Sequence, residues 1–268
     1  MLELKNVSKK FNISGNKEDE RIALDSLNIK IEEGEFVTII GGNGSGKTTT
    51  LNIIAGSITQ DEGHVILDDI VLDNLKEFQR AKYFGRVFQD PSMGTAGDMS
   101  ILENLEMAFL RGQRHSPFKW GFKKSHKEYF ANELKKFDLG LEDRLNQRVK
   151  LLSGGQRQAL TLLMASLVKP RVLLLDEHTA ALDPKTADKV LKTTDRIVKE
   201  NKLTTIMITH NMKDAIKYGD RLIMMSSGHI VVDIKGEEKQ KLTVEELLEK
   251  FNVASHQDVL PDSVILGN

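Results

Sequence analysis

The sequence contains no cysteine, which excludes disulfides, thiolate metal sites and cysteine nucleophiles at once. Such a chain suits a reducing compartment, though the absence alone fixes none. A dominant charge is missing too. Against 39 Asp+Glu stand 38 Lys+Arg, a formal net charge of -1, so no global field favours nucleic acid or an anionic membrane. Long apolar runs are also lacking: the most apolar stretch, Ala159 to Val168, falls well short of the ~18 residues a membrane span needs. The N-terminal MLELKNVSKKF has no long apolar core of the kind a signal peptide carries. These absences predict a soluble chain, with any membrane spans carried by other subunits. No internal repeat and no low-complexity segment interrupts it.

What is present fits a globular α/β protein. The 268 residues, 40% hydrophobic and 29% charged, suffice for one large domain or two closely joined lobes. Leu2, Leu4 and Val7 nearly alternate, and a second alternating run extends from Ile22 to Ile31, with the polar segment 14–20 as a turn between them. Phe36 to Ile40 reads as a short strand buried on both faces. A glycine-rich loop then enters a helix near Lys47. Residues 90–160 are helical in pattern, as in Ser100 to Leu110. From Arg171 onward strands and helices alternate: Val172 to Leu175, a helix after Asp183-Pro184, Thr204 to Thr209, a helix from Met212, and Arg221 to Met225. That alternation predicts a parallel sheet covered on both sides.

Gly41, Gly42, Asn43, Gly44, Ser45, Gly46, Lys47 and Thr48 match the phosphate-loop pattern G-x-x-x-x-G-K-[ST]. Glycines let backbone N–H groups converge on phosphate oxygens, and the following helix adds its positive end. Lys47 is expected to reach the β- and γ-phosphates, and the Thr48 hydroxyl to ligate Mg²⁺. Val172 to Leu175 runs into Asp176 and Glu177, neighbouring acids that point different ways at a strand tip. Asp176 suits the metal shell, and Glu177 suits the general base that polarises the attacking water. Leu152-Ser153-Gly154-Gly155-Gln156 opens a further helix, read as running to Lys169 before Pro170, and offers a second anion site. Alternatively, Ser153 is simply an N-cap.

The LSGGQ pentapeptide beside a phosphate loop resembles the ABC ATPases, and the resemblance covers roughly residues 2–235. It implies a P-loop NTPase with a RecA-like parallel-sheet core, an N-terminal antiparallel β subdomain and an inserted helical subdomain. The expected division is an ABC ATPase domain over 1–235, with the helical part at about 90–160, and a short C-terminal extension over 236–268. In the family, Ser153, Gly154, Gly155 and Gln156 meet the ATP of a partner subunit, so hydrolysis needs a dimer. Gln89 resembles the glutamine that touches the metal and reports to the membrane subunit. Asp183 resembles a residue that crosses the dimer interface, while Asp183-Pro184 is equally a good helix start. His210 resembles the histidine that bonds the γ-phosphate, Thr49 completes the nucleotide contacts, and Phe11 either stacks on adenine or packs in the core. Two positions depart from the family pattern: Gly42 and His178 stand where proline is usual. His178 either tunes Glu177 or caps a turn.

The resemblance implies MgATP as the bound species, a second ATPase subunit, separate permease subunits, a substrate-binding protein reached indirectly, and no nucleic acid. Peripheral placement on the inner face of the cell membrane follows from that set. The lack of cysteine and of heptads sets the chain apart from DNA-repair and chromosome-condensing relatives. Residues 111–124, basic and aromatic, suit lipid headgroups, a permease rim or plain solvent. Together with the wording Asp176 to Asp188, they resemble ATPases paired with a lipoprotein-type binding protein and a permease similar to branched-chain amino-acid permeases. Import of a small solute such as an aromatic amino acid is the leading expectation. An exporter or lipoprotein-extrusion ATPase and a non-transport motor stay open beside it.

Overall fold

The computed structural model describes residues 1–12, 20–111 and 124–254. Along the chain run β1 (Leu2–Asn12), β2 (Glu20–Ile31), β3 (Phe36–Gly41), α1 (Lys47–Ala55), β4 (Glu62–Leu67), β5 (Ile70–Val71), α2 (Glu77–Arg80), β6 (Phe84–Val87), α3 (Ile101–Phe109) and α4 (Lys124–Lys135). They continue with α5 (Gly154–Ser166), β7 (Val172–Asp176), α6 (Pro184–Asn201), β8 (Thr204–Ile208), α7 (Met212–Lys217), β9 (Arg221–Ser226), β10 (His229–Lys235), α8 (Glu237–Lys241) and α9 (Val244–Ala254). The chain forms two compact units, Met1–Arg80 with Thr204–Asn268, and Ala81–Leu203.

The first unit holds an antiparallel sheet in the order β2-β1-β4-β5. The β4–β5 hairpin turns on Asp68 and Asp69, both left-handed at φ 47 and 67, the conformation that matches the twist of a two-residue hairpin. A mixed sheet in the same unit carries the order β10-β9-β3-β8. In it β3 pairs in parallel with both β8 and β9, while β10 returns antiparallel to β9. All six residues of β3 and all five of β8 are buried, which explains why both read as unbroken apolar runs. On that sheet, α7, α8 and α9 close a core in which Ile40, Leu222, Met224 and Ile234 pack with Leu242, Leu247 and Phe251. Lys239 of α8 is buried and donates to the carbonyls of Ile216, Tyr218 and Gly219 at the end of α7. Burial pushes its pKa down to about 8. Segments 236–254 are thus anchored to the sheet by apolar packing and one buried cation.

In the second unit, β6 and β7 pair in parallel, and α3 to α6 supply most of the mass. Ser100 caps α3 and shares a capping box with Glu103. The predicted run of α5 to Lys169 is corrected: the helix ends at Ser166. Ser166 Oγ turns back to the carbonyls of Leu162 and Leu163. Lys169 precedes a proline, which disfavours helical backbone there. Three elements escaped the sequence reading: the short α2, β10 and α8. Among the described residues no helix is long and apolar enough to cross a membrane.

Candidate nucleotide site

The phosphate loop leaves β3 and enters α1 within the first unit. Gly41, at φ 149, lies so close to Met225 O and Ser45 Oγ that a Cβ would overlap both. Gly46, at φ 100, is the N-cap of α1 and has no side chain with which to cap it. A Cβ at Gly46 would come within 2.6 Å of Ala23 O and Leu24 Cδ2. These two positions need glycine. Gly42 does not, since its φ is not left-handed; its carbonyl serves instead, accepting from Lys47 Nζ at 3.0 Å and from Ser45 N at 3.3 Å. Lys47 is buried and also donates to Gly41 O at 2.8 Å. Asn43, Gly44 and Thr48 are exposed and Thr49 is half-buried. Ser45 Oγ is buried with no hydrogen-bond partner in the protein, an orphaned polar group of the kind a bound phosphate satisfies.

Two further parts of this unit bear on the loop. Because β3, β8 and β9 are parallel, their carboxyl ends share one edge, where ligands of open α/β sheets bind. His210 follows β8 at that edge and is exposed. It stands between Thr209, whose N–H donates to Ile39 O at 3.1 Å, and Asn211, which caps α7. The β9–β10 hairpin turns on Ser227 and Gly228 at φ 46 and 83, and Gly228 N donates to Ser45 O at 3.2 Å. This hairpin floor had no signal in the sequence beyond a lone Ser-Gly. Phe11 on β1 is 37% exposed, with Lys9 Nζ 5.6 Å from its ring centroid. The core-packing alternative for Phe11 is therefore removed.

Arg80 likewise went unread. It is 2% exposed, donates through NH1 to Ile53 O and Ile54 O at 2.7 and 3.1 Å, and through Nε to Leu75 O at 2.9 Å. It closes the carboxyl end of α1, where a cation complements the helix dipole. In sequence it looks like any surface arginine.

The remaining predicted residues sit in the second unit. Asp176 ends β7 and is buried, with Arg86 NH2 at 3.9 Å from its Oδ2. Glu177 is half-buried and left-handed at φ 43, a conformation costing about 1 kcal/mol for a residue with a Cβ. His178 turns inward: it is 2% exposed, with Nε2 at 3.2 Å from Thr194 Oγ1 on α6. Burial pushes its pKa down to about 4, so the ring is neutral near pH 7. Capping a turn is not its role. Gln89 is exposed after Phe88. Gln158 of α5, 1% exposed, donates to Phe88 O at 3.2 Å, a link the sequence did not signal.

Ser153 is the N-cap of α5 and forms a full capping box with Gln156: Gln156 N donates to Ser153 Oγ at 3.3 Å, and Ser153 N to Gln156 Oε1 at 3.2 Å. The simple N-cap reading of Ser153 is thus true, and Ser153 and Gly154 remain exposed at the helix tip. A Cβ on Gly155 would overlap Thr186 of α6, so glycine there lets the two helices approach. Asp183 caps α6 by accepting from Thr186 N at 3.1 Å, with Pro184 behind it. The Thr186 hydrogen bonds hold the Asp183 carboxyl below its ordinary range. The LSGGQ tip and Asp183 therefore form one local patch. Arg111, placed by sequence in the basic loop, instead donates to Ala165 O and Val168 O at 3.0 Å, closing the far end of α5. The rest of that loop, 112–123, lies outside the described residues, as does the tail 255–268.

The metal donors expected from sequence, the Thr48 hydroxyl, the Gln89 amide and the Asp176 carboxylate, are all hard oxygens. Magnesium binds through such oxygens and one or two carboxylates, keeping waters and phosphate oxygens for the rest. Among the described residues no cluster of three or more His, Cys, Asp or Glu forms an all-protein cage. The donor chemistry fits the ion.

A phosphate loop leading from a buried parallel strand into a helix, beside an antiparallel sheet, defines a P-loop NTPase fold. A sequence profile of the ABC transporter family matches residues 24–180. The chain is 49% identical over 255 residues to the "Tyrosine transport ATP-binding protein" of Clostridioides difficile (strain R20291), covering 95% of this chain and 100% of that one. It is 34% identical to the "Energy-coupling factor transporter ATP-binding protein EcfA2" of Clostridium perfringens (strain 13 / Type A), over 89% of this chain and 81% of that one. Among solved structures it resembles the dimeric post-hydrolysis state of the ATP-binding cassette MJ0796 bound to ADP and Pi. That likeness has a TM-score of 0.76 at 31% identity, over 88% of this chain and 98% of that one. The chain belongs to the ABC transporter family, as an ATP-binding subunit that hydrolyses ATP.

Proposed function

We propose that the chain is the ATPase of an importer for a small solute such as an aromatic amino acid. In this reading it acts as a homodimer, head to tail around two MgATP, on the inner face of the cell membrane. There it drives a separate permease that receives its solute from a lipoprotein-type binding protein. The full-length likeness to a tyrosine transport ATP-binding protein is the observation that carries the solute class. The division proposed is an ATPase domain over 1–235, containing a helical subdomain at about 90–160, and an extension over 236–268.

The dimer rests on the local geometry. The phosphate loop and His210 share one sheet edge, while the LSGGQ tip and Asp183 form an exposed patch elsewhere in the chain. A helix tip with exposed glycine and serine suits a phosphate brought by a second molecule. Each composite site then joins Gly41 to Thr49 of one copy, with Phe11 under the base, to Ser153–Gln156 and Asp183 of the other. Thr48, Gln89 and Asp176 are the residues that would hold magnesium, which when bound would supply positive charge to the phosphate oxygens. Glu177 orients a water and accepts its proton as the water oxygen bonds the γ-phosphorus. The bond from that phosphorus to the bridging oxygen breaks and ADP leaves. His210 donates to the γ-phosphate oxygens, where charge changes during transfer. Gln89, exposed after β6, faces the permease and passes closure to it.

Glu177→Gln tests the sandwich: light scattering at saturating MgATP is expected to find a trapped dimer, and a monomer would sink the reading. For the solute, ATPase of the purified complex with its binding protein should rise with tyrosine, phenylalanine or tryptophan. No response to any of the three would remove the aromatic assignment.

A further inference from the structure

We propose that Arg86 is a positioning residue that holds the Asp176 carboxylate and competes with the metal ion for it. The inference rests on the reading of Asp176 as a metal ligand and adds a residue that no motif assigns.

Arg86 lies on β6, in register with Leu174 of β7, two residues before Asp176. Its NH2 is 3.9 Å from Asp176 Oδ2, and the two side chains are 13% and 9% exposed. A carboxylate so withdrawn from water needs a compensating charge. The guanidinium carbon also stands 4.5 Å from the centroid of the Phe88 ring, within cation–π range. Phe88 is itself fixed, because its carbonyl accepts from the buried Gln158 of α5. A carboxylate and an aromatic face are thus among the favourable neighbours of Arg86.

A divalent cation on Asp176 would bring like charge close to the guanidinium in a poorly solvated place. An ion there would therefore work against the Arg86–Asp176 attraction, while the Phe88 face, already within cation–π range, keeps a favourable place for the guanidinium. Because Phe88 directly precedes Gln89, loading of the metal is felt where the chain turns toward its proposed permease contact. Arg86 lowers metal affinity and, in exchange, makes metal binding a signal.

The test is Mn²⁺ binding followed by electron paramagnetic resonance in the full-length protein with ADP present, a readout independent of turnover. Arg86→Met keeps the length of the side chain and removes its charge. Its Mn²⁺ affinity is expected to rise roughly three- to tenfold, while Arg86→Lys stays near the parent. Arg86→Gln gives the same comparison if the methionine variant does not fold. Equal or weaker Mn²⁺ binding in folded Arg86→Met or Arg86→Gln would overturn the proposal, since a merely structural arginine would not hold the ion off. Asp176→Asn separates the layers. If it leaves Mn²⁺ binding unchanged, the metal reading fails and the proposal falls with it. If it abolishes binding while Arg86→Met changes nothing, the proposal alone fails.

Discussion

Helices α1 and α5 make an instructive pair, alike at one end and opposite at the other. Both finish on an arginine: Arg80 donates to Ile53 O and Ile54 O, and Arg111 to Ala165 O and Val168 O. At their amino ends they part. α1 begins at Gly46 with no side-chain cap, whereas α5 begins at Ser153 with a complete capping box. A glycine start leaves the first turn to be completed by something other than its own side chains. A capping box completes it internally. α1 is built to take its phosphate from within its own loop. α5 is finished in itself and presents an exposed tip, as the proposed dimer requires.

Breaking the shared feature should have the largest effect. Arg80→Met removes three donors from buried carbonyls and is expected to cost about 3 kcal/mol of unfolding free energy in urea titrations. Arg111→Met, at a half-buried site, should cost about half as much. Equal small losses would show that the two helix ends are not held by their arginines.

Acid should act next, on the second unit. His178, pushed down to about 4 by burial from an ordinary value of 6.5, is neutral in the fold. The unfolded chain takes up its proton first as pH falls, so this contribution is whole above about pH 6.5 and drains away toward pH 4. The full loss is about 3 kcal/mol, and pH-dependent denaturation of His178→Gln against the parent isolates it. An identical pH profile for the two proteins would contradict the burial argument.

At the amino ends the effects are smaller but sharper. Lys47→Ala should weaken ATP about 100-fold by calorimetry, with full affinity undoing the phosphate-loop assignment. Ser153→Ala should leave ATP binding to the monomer intact while costing about 1 kcal/mol through the lost cap. A change in monomer affinity there would mean that α5 serves its own nucleotide.

The parts legible in the sequence were those written in short range. The phosphate loop, the acids closing β7 and the Ser153 N-cap each occupy a few consecutive residues, and β3, β7 and β8 announce themselves as buried apolar runs. What stayed hidden depends on partners far along the chain. Arg80 and Arg111 look like solvated cations until a helix end arrives to receive them. His178 looked like a turn residue because Thr194, which holds it inside, lies on the next helix. The early end of α5 was missed because Pro170 was taken as the stop, when the backbone before it had already left the helix. Gly228 carried no pattern that could place it under Ser45.

Strand β3 has one more consequence, in the order of synthesis. Its hydrogen-bonded neighbours in the mixed sheet are β8 and β9, both made after residue 203. A ribosome has therefore emitted most of the chain before Phe36–Ile40 can find its strand partners, and the Gly228 prop under the loop arrives later still. Throughout that interval an apolar strand stands unpaired, the kind of segment on which nascent chains aggregate or recruit chaperones. Translation arrested before β8 yields a product carrying the whole phosphate-loop sequence and neither of the strands that pair with β3 beside it.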